Sequence, residues 1–211
     1  MSASDSIYLP RAYGLYEPGV SLSANGRYLA YTSYTEGSRH GSVLVADTAS
    51  GTTRVLVAGA ENYAPAIAAN ASAVAFTTAP ADRASPERIA VASLVTGSIS
   101  FASTSASGEA ANGASHFASI SADGRYVAFE SAASNLLAGD TNHATDVYVK
   151  DMLTGAVRRA SLGAAGAQLD GDASGAVISA DGNVVLFGSV IDAATGAVTD
   201  AFQLYARNFA T

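Results

Sequence analysis

Three side chains that carry oxygen ligands lie close together in one segment of the sequence. Asp140, Asn142 and Asp146 occupy relative positions one, three and seven of the run DTNHATD. This spacing allows a tight loop to wrap Ca²⁺, which prefers carboxylate and amide oxygens. The segment is not an EF-hand, because its sixth position is Thr145 rather than glycine. The sequence predicts a calcium site at these three residues, and the alternative is that Asp140 and Asn142 form local Asx-turns.

The other candidate groups do not form a catalytic set. The chain has three histidines, His40, His116 and His143. Ser115 precedes His116, but the pair lacks the closing glycine of a nucleophile elbow and leads into a predicted strand. The acidic run 170–172 is typical of a polar turn. The sequence therefore indicates no catalytic residue, and we expect a protein that is not an enzyme.

Two further groups have chemistry but weaker patterns. Arg158 and Arg159 are adjacent on a predicted outer strand, where side chains alternate between faces, and we expect both to be solvated at the sheet edge. Several tyrosines fall in predicted loops, where they are available to stack on a sugar or a peptide: Tyr13, Tyr16, Tyr34 and Tyr63.

The predicted calcium loop belongs to a unit of four short strands that spans residues 117–162. The turn signals are Asp123-Gly124, the loop itself and Thr154-Gly155, and Asp-Gly is a strong hairpin signal. The apolar run 125–129 suits a strand that is covered on both faces. A single sheet cannot bury both of its faces alone, so the pattern predicts that the unit repeats.

Copies of this unit occupy the rest of the chain. The first turn recurs at Asn25, Asn70, Asp123 and Asp181, which are separated by 45, 53 and 58 residues. We predict an all-β fold, a β-propeller of four-stranded blades with four repeats in the chain, as a single domain over residues 1–211. The predicted repeats cover residues 13–57, 58–104, 113–163 and 171–211.

The fourth repeat lacks a fourth strand, and an N-terminal segment has the position of one. Tyr8 precedes Pro18 by ten residues, as Val55 precedes Pro65. We therefore predict that residues 5–12 close the last blade and hide its edge. A monomeric four-bladed ring, a homodimeric eight-bladed ring and a segment of a longer protein all satisfy this closure.

Composition excludes several classes of partner. Of the 211 residues, 11 are basic and 18 acidic, which gives a net charge of −7 and argues against nucleic acid. There is no cysteine, and hence no disulfide or thiolate site. The sequence shows neither an apolar run long enough for a membrane helix nor a signal peptide. We expect no membrane insertion.

The repeats resemble those of the TolB-like, WD-repeat-like β-propellers of bacteria. The third repeat carries the resemblance most strongly, with ISADGRYVAFES, NLLAGDTNHATDVYVKD and LTGAVRRASL, and SLSANGRYLAYTS and VISADGNVVLFGS match in part. The resemblance implies a radial array of four-stranded blades, usually in exported proteins of the periplasm or the cell exterior, that serves mainly as a binding platform. It supplies no catalytic motif.

These observations together predict a non-enzymatic binding or interaction module for a protein, peptide or glycan, stabilised by calcium at Asp140, Asn142 and Asp146. The warrant is the analogy of fold and the lack of catalytic signals in the sequence. The alternative is a propeller-based carbohydrate-active enzyme, or a fragment of a larger secreted enzyme or adhesin.

Overall fold

A computed structural model of the chain describes residues 19–34, 40–80, 84–163 and 166–210. These residues form β-strands joined by turns and loops, with almost no helix, and in them no helix is long and apolar enough to span a membrane. The strands are β1 Val20–Leu22, β2 Tyr28–Tyr34, β3 Gly41–Asp47, β4 Thr52–Ile67, β5 Ala73–Ala79, β6 Arg88–Ser93, β7 Ile99–Phe101, β8 Ser115–Ile120, β9 Tyr126–Ser131, β10 Asp146–Asp151, β11 Val157–Arg159, β12 Ala173–Ile178, β13 Val184–Ile191 and β14 Val198–Asn208.

The strands pair in sequence order, and every pair is antiparallel. Strands β1 to β7 form one sheet, β8 to β11 a second and β12 to β14 a third. In β4, residues 52–60 pair with β3 and residues 61–67 pair with β5. Strand β4 therefore ends one blade and begins the next, and it runs unbroken through the predicted repeat boundary at residues 57 and 58.

Four successive blades follow from this pairing. Blade 1 consists of β1, β2, β3 and the first half of β4, blade 2 of the second half of β4 with β5 to β7, blade 3 of β8 to β11, and blade 4 of β12 to β14. Blade 4 has three strands in the part of the chain that the structure describes. The predicted closing strand, residues 5–12, lies outside the described residues.

The predicted turns form through local side-chain bonds. In blade 3 the Ser121 hydroxyl donates to Asp123 Oδ1 at 2.6 Å, and that oxygen accepts the Arg125 amide at 3.0 Å. The next residue, Gly124, has φ +81°, a left-handed conformation that glycine adopts without steric cost. Blade 2 has Ala71 at this position, with φ +57°.

The core lies between blades rather than at one centre. Three buried clusters join blades 1 and 2, blades 2 and 3, and blades 3 and 4. Their largest fully buried side chains include Phe76, Phe129, Tyr148 and Phe187. Each sheet is thus covered by its neighbours, which explains why its strands are apolar without strict alternation.

The first strand of each blade is its inner strand. Strands β1, β4, β8 and β12 contact one another in series, whereas β7, β11 and β14 lie at the far edges of their sheets. The inner strands β4, β8 and β12 each have a bulge. One residue in each bulge has a positive φ: Ala64 at +50°, Phe117 at +51° and Gly175 at +71°. The bulges redirect the side chains of these strands.

Candidate functional site

The predicted calcium residues come together around an arginine. The loop joins β9 to β10, and Arg159 reaches it from β11 with its guanidinium 3.1 Å from Asp140 Oδ2 and 3.5 Å from Asp146 Oδ2. Arg159 and Asp146 are buried. The prediction that both arginines of β11 are solvated is therefore wrong for Arg159. Residues 158 and 159 point to opposite faces, as strand geometry requires, and the face of Arg159 is covered by the loop.

The phenol of Tyr148 completes this cluster. Its hydroxyl donates to Asp140 Oδ2 at 2.5 Å and accepts from Arg159 Nη2 at 3.1 Å. Burial, followed by the bond to Asp140, raises the pKa of Tyr148, so the phenol keeps its proton. The Ser161 hydroxyl donates to Asp146 Oδ1 at 2.5 Å. Burial raises the pKa of Asp146, and the Ser161 bond and the charge of Arg159 oppose that effect.

The side-chain oxygens of the loop have protein donors as partners. Asn142 Oδ1 accepts the Ala144 amide at 3.1 Å, which is the Asx-turn of the alternative interpretation, and Asp140 Oδ1 accepts from Gln168 Nε2 at 3.0 Å. Within the described ranges no group of three or more His, Asp or Glu residues is arranged to hold a metal. A calcium ion would have to replace these donors and compete with Arg159, and calcium binding stays a prediction.

The loop also ties blade 3 to the start of blade 4. The Thr145 amide donates to Asp172 Oδ1 at 2.7 Å, and the Asn142 side-chain amide donates to the Leu169 carbonyl at 2.6 Å. Asp172 is exposed on the polar turn that the sequence predicts. His143 is exposed at the tip of the loop with φ +57°. The loop and its cluster therefore help to hold blades 3 and 4 together.

A second group of polar and aromatic side chains lies on the inner strands. The hydroxyl of Tyr63 on β4 is 3.0 Å from His116 Nδ1 on β8. Burial lowers the pKa of His116, against the raising effect of Glu87, which favours the neutral imidazole. Tyr63 is buried in a strand, and Tyr34 lies in β2, so the loop positions predicted for both are wrong. The other two tyrosines, Tyr13 and Tyr16, lie outside the described residues.

Phe117 stands out beside this pair. Its side chain is 53% exposed, its φ is +51°, and its ring centroid is 5.9 Å from that of His116. A left-handed conformation costs a residue with a side chain about 1–2 kcal/mol. Sequence reasoning missed Phe117 because the bulge depends on strand register. A signal was present, since the equivalent position six residues before the turn is Gly19 in repeat one and Gly175 in repeat four.

Ser115 and His116 do not form a nucleophile and base pair. The Ser115 hydroxyl is buried, 2.9 Å from the hydroxyl of Ser131 on β9. His116 follows directly in the strand and so projects from the opposite face, toward Tyr63. The two side chains are therefore directed apart, as expected for an ordinary strand.

Comparisons with known proteins give the fold. No family model and no curated protein sequence matches the chain. The structure is similar to TolB from Acinetobacter baumannii, with TM-score 0.60 and 16% identity over 92% of this chain and 41% of that one. It is also similar to the β-propeller domain of the Trilobed protease from Pyrococcus furiosus, with TM-score 0.60 and 13% identity over 92% of this chain and 54% of that one.

A third similar structure is prolyl oligopeptidase B from Galerina marginata, with TM-score 0.58 and 14% identity over 92% of this chain and 24% of that one. The chain thus spans less than two thirds of each of these proteins. At these identities the likeness establishes architecture and not activity. The chain has an all-β propeller fold, and its resemblance to the TolB-like β-propellers is confirmed at the level of that fold.

Proposed function

We propose that the chain is a non-enzymatic binding module that holds a protein, peptide or glycan ligand against its inner strands. The observation that carries this proposal is Phe117, an exposed aromatic ring on an inner strand in a strained backbone conformation. Strained residues concentrate at ligand sites, because the surrounding structure must hold them there. A rigid ring beside the polar His116 and Tyr63 suits stacking on a sugar ring or a peptide side chain.

The competing proposals are a carbohydrate-active propeller enzyme and a fragment of a larger secreted enzyme or adhesin. Peptidases are among the proteins of similar fold. Two observations favour binding instead. Ser115 and His116 are directed apart, and the carboxylates of the Arg159 cluster are buried and hydrogen-bonded. A general acid or base must reach its substrate, which this cluster does not permit without opening.

Three finer features belong to the same proposal. The N-terminal residues 5–12 would add to β14 and complete blade 4, since β14 has one paired neighbour among the described strands. Calcium would stabilise the loop at Asp140, Asn142 and Asp146. The module would work outside the cytoplasm, as the TolB-like resemblance implies.

The test replaces Phe117 by glycine. Arrays of glycans and peptides identify a ligand for the wild-type protein, and calorimetry then measures its Kd. We expect Phe117→Gly to weaken binding about tenfold or more, because the stacking ring is lost. Glycine adopts positive φ freely, so the same change should raise the free energy of unfolding by about 1 kcal/mol.

Ala64→Gly is the matched control, because Ala64 has the same position and conformation in blade 2. It should stabilise the fold in the same way and leave Kd unchanged. A folded wild-type protein without any specific ligand would contradict the binding proposal. Undiminished binding by Phe117→Gly would show that the ligand lies elsewhere.

A further inference from the structure

The two outermost blades each expose one apolar face. On the leading face of blade 1, Val20, Tyr31, Leu44 and Val55 follow one another across the sheet by strand register, and Leu22 lies beside Val20. Val20, Leu22 and Val55 are exposed and Tyr31 and Leu44 half-buried, whereas Leu29 and Ala46 of the same face are buried. The trailing face of blade 4 consists of Val177, Leu186, Val190, Phe202 and Leu204. These two faces hold eight of the thirteen large hydrophobic side chains that are exposed in the described part of the chain.

The exposed residues of the trailing face are equivalent to residues of blade 3 that pack on the next blade. Leu186 is five residues after Asp181, as Ala128 is five residues after Asp123. Leu204 pairs with Gly188, the seventh residue after Asp181. Val147 likewise pairs with Glu130, the seventh residue after Asp123. Ala128 and Val147 are 0% exposed against blade 4, whereas Leu186 is 47% and Leu204 78% exposed.

The leading face likewise uses positions that pack on the preceding blade. Tyr31 is six residues after Asn25, as Phe129 is six residues after Asp123. Leu44 pairs with Tyr31 as Tyr148 pairs with Phe129. Phe129 and Tyr148 are fully buried against blade 2. Blade 1 thus presents one half of a blade junction, and blade 4 presents the other half.

The two free faces also match each other in bulk. Two of the three internal junctions pack a small and a branched side chain on two aromatic rings of the next blade: Ala75 and Ile89 on Phe129 and Tyr148, and Ala128 and Val147 on Phe187 and Tyr205. The junction of blades 1 and 2 is smaller, with Ala30 and Val43 on Phe76 and Ala90. A junction of the free faces would pack Leu186 and Leu204 on Tyr31 and Leu44. This set and those of the two larger internal junctions each contain about twenty side-chain heavy atoms, because the larger leucines of blade 4 offset the smaller Leu44.

We propose that a second copy of this chain covers both faces, with the leading face of each copy on the trailing face of the other. Two junctions related by a two-fold axis then close one ring of eight blades and leave no apolar face exposed. Blades 1 and 4 of the same chain share no packed interface among the described strands. This inference is independent of the ligand proposed above.

The first measurement is the mass in solution by light scattering. We expect a species of twice 21.1 kDa. Because both copies carry the substitution, glutamate in either free face would bury an unpaired charge at both junctions, so Leu22→Glu and Leu204→Glu should each give monomers. Both leucines are exposed in the single chain, so circular dichroism should show that the variants fold. The control is Leu153→Glu, at a 76% exposed position on neither face, which should stay dimeric.

Each other result would overturn the proposal. A wild-type monomer at about 100 µM would show that the free faces do not associate at physiological affinities. Dissociation by only one of the two glutamate variants would indicate a dimer that pairs two copies of the same face. A mass of three or more chains would indicate head-to-tail growth without closure of the ring.

Discussion

Replacement of Arg159 by methionine tests the buried charge cluster at the scale of single residues. The change leaves the carboxylates of Asp140 and Asp146 close together without their positive partner. We expect the free energy of unfolding, measured in urea, to fall by about 3–5 kcal/mol, because an uncompensated buried charge is costly. Arg158→Met is the matched control. Arg158 stacks on Phe209 from a half-buried position, and its loss should cost about 1 kcal/mol or less.

The same variants decide between arginine and calcium as the cation of this loop. If calcium binds the native loop, Ca²⁺ should raise the melting temperature of the wild-type protein relative to EDTA, and Asp140→Ala should remove that rise. The calcium effect should be larger in Arg159→Met, where no guanidinium competes for the carboxylates. Equal melting temperatures in both buffers would contradict calcium binding and leave Arg159 as the counter-charge.

At this scale the sequence identifies the residues of the cluster better than their roles. Asp140, Asn142 and Asp146, which the sequence singles out by their spacing, lie together beside Arg159. In the structure a positive charge beside these carboxylates is that of Arg159, and the choice between residues 158 and 159 as the inward side chain depends on the register of β11 with β10. Register across a loop is set by tertiary contacts, which a single sequence does not contain.

At the scale of elements, the turns that follow the third strands predict an acid-sensitive fold. Asp151 accepts the amides of Leu153 and Thr154 and bonds to Arg125. The Arg125 bond is the first cause that lowers the pKa of Asp151. In blade 1, Arg27 likewise lowers the pKa of Asp47 to about 2. A lowered native pKa stabilises the fold above the unfolded pKa near 4, and this contribution is lost as the pH falls through the native value.

Asp151→Asn is the variant that isolates one such carboxylate. We expect the wild-type protein to melt at a higher temperature than this variant at pH 6, and the difference to shrink as the pH is lowered from about 5 to 2. Leu153→Ala, which removes an uncharged and exposed side chain from the same turn, should show no such pH-dependent difference. A difference between wild type and Asp151→Asn that stays constant down to pH 2 would show that the side chain acts through shape rather than charge.

Elements defined by local turns could be predicted from sequence, whereas their irregularities could not. The Ser-x-Asx-Gly turns fix where the second strands begin, because the bonds lie within a few residues. The continuity of β4 and the bulge at Phe117 depend on partner strands. Ala71 shows the opposite limit, since it replaces glycine in a left-handed turn without loss of the hairpin.

At the scale of the whole molecule, repetition carried the prediction of the fold. Four copies of one turn, each followed by an apolar strand, imply sheets that must cover one another, and the structure packs successive blades in this way. The sequence allows several ways to close the ring, because the sequence of one blade does not indicate which chain supplies the neighbouring blade. The proposed dimer, in which the free faces of blades 1 and 4 pack on a second copy, is one of these solutions.

Each blade packs only on its neighbouring blades in the described structure. We therefore expect a core substitution to destabilise mainly the two blades that it joins. Phe129 lies at the junction of blades 2 and 3, and Phe187 has the equivalent position at the junction of blades 3 and 4. Both are buried, so replacement by alanine should cost about 3–5 kcal/mol in each case. In a repeat array each unit depends on its nearest neighbours, so the two variants should differ in where the structure opens.

Native-state hydrogen exchange measures that difference. We expect Phe129→Ala to lower amide protection in blades 2 and 3, and Phe187→Ala to lower it in blades 3 and 4 while β5 and β6 keep theirs. Val95→Ala, at an exposed turn, is the control and should change neither pattern. Equal loss of protection in every blade of both variants would contradict local coupling, because it would mean that the blades unfold only together.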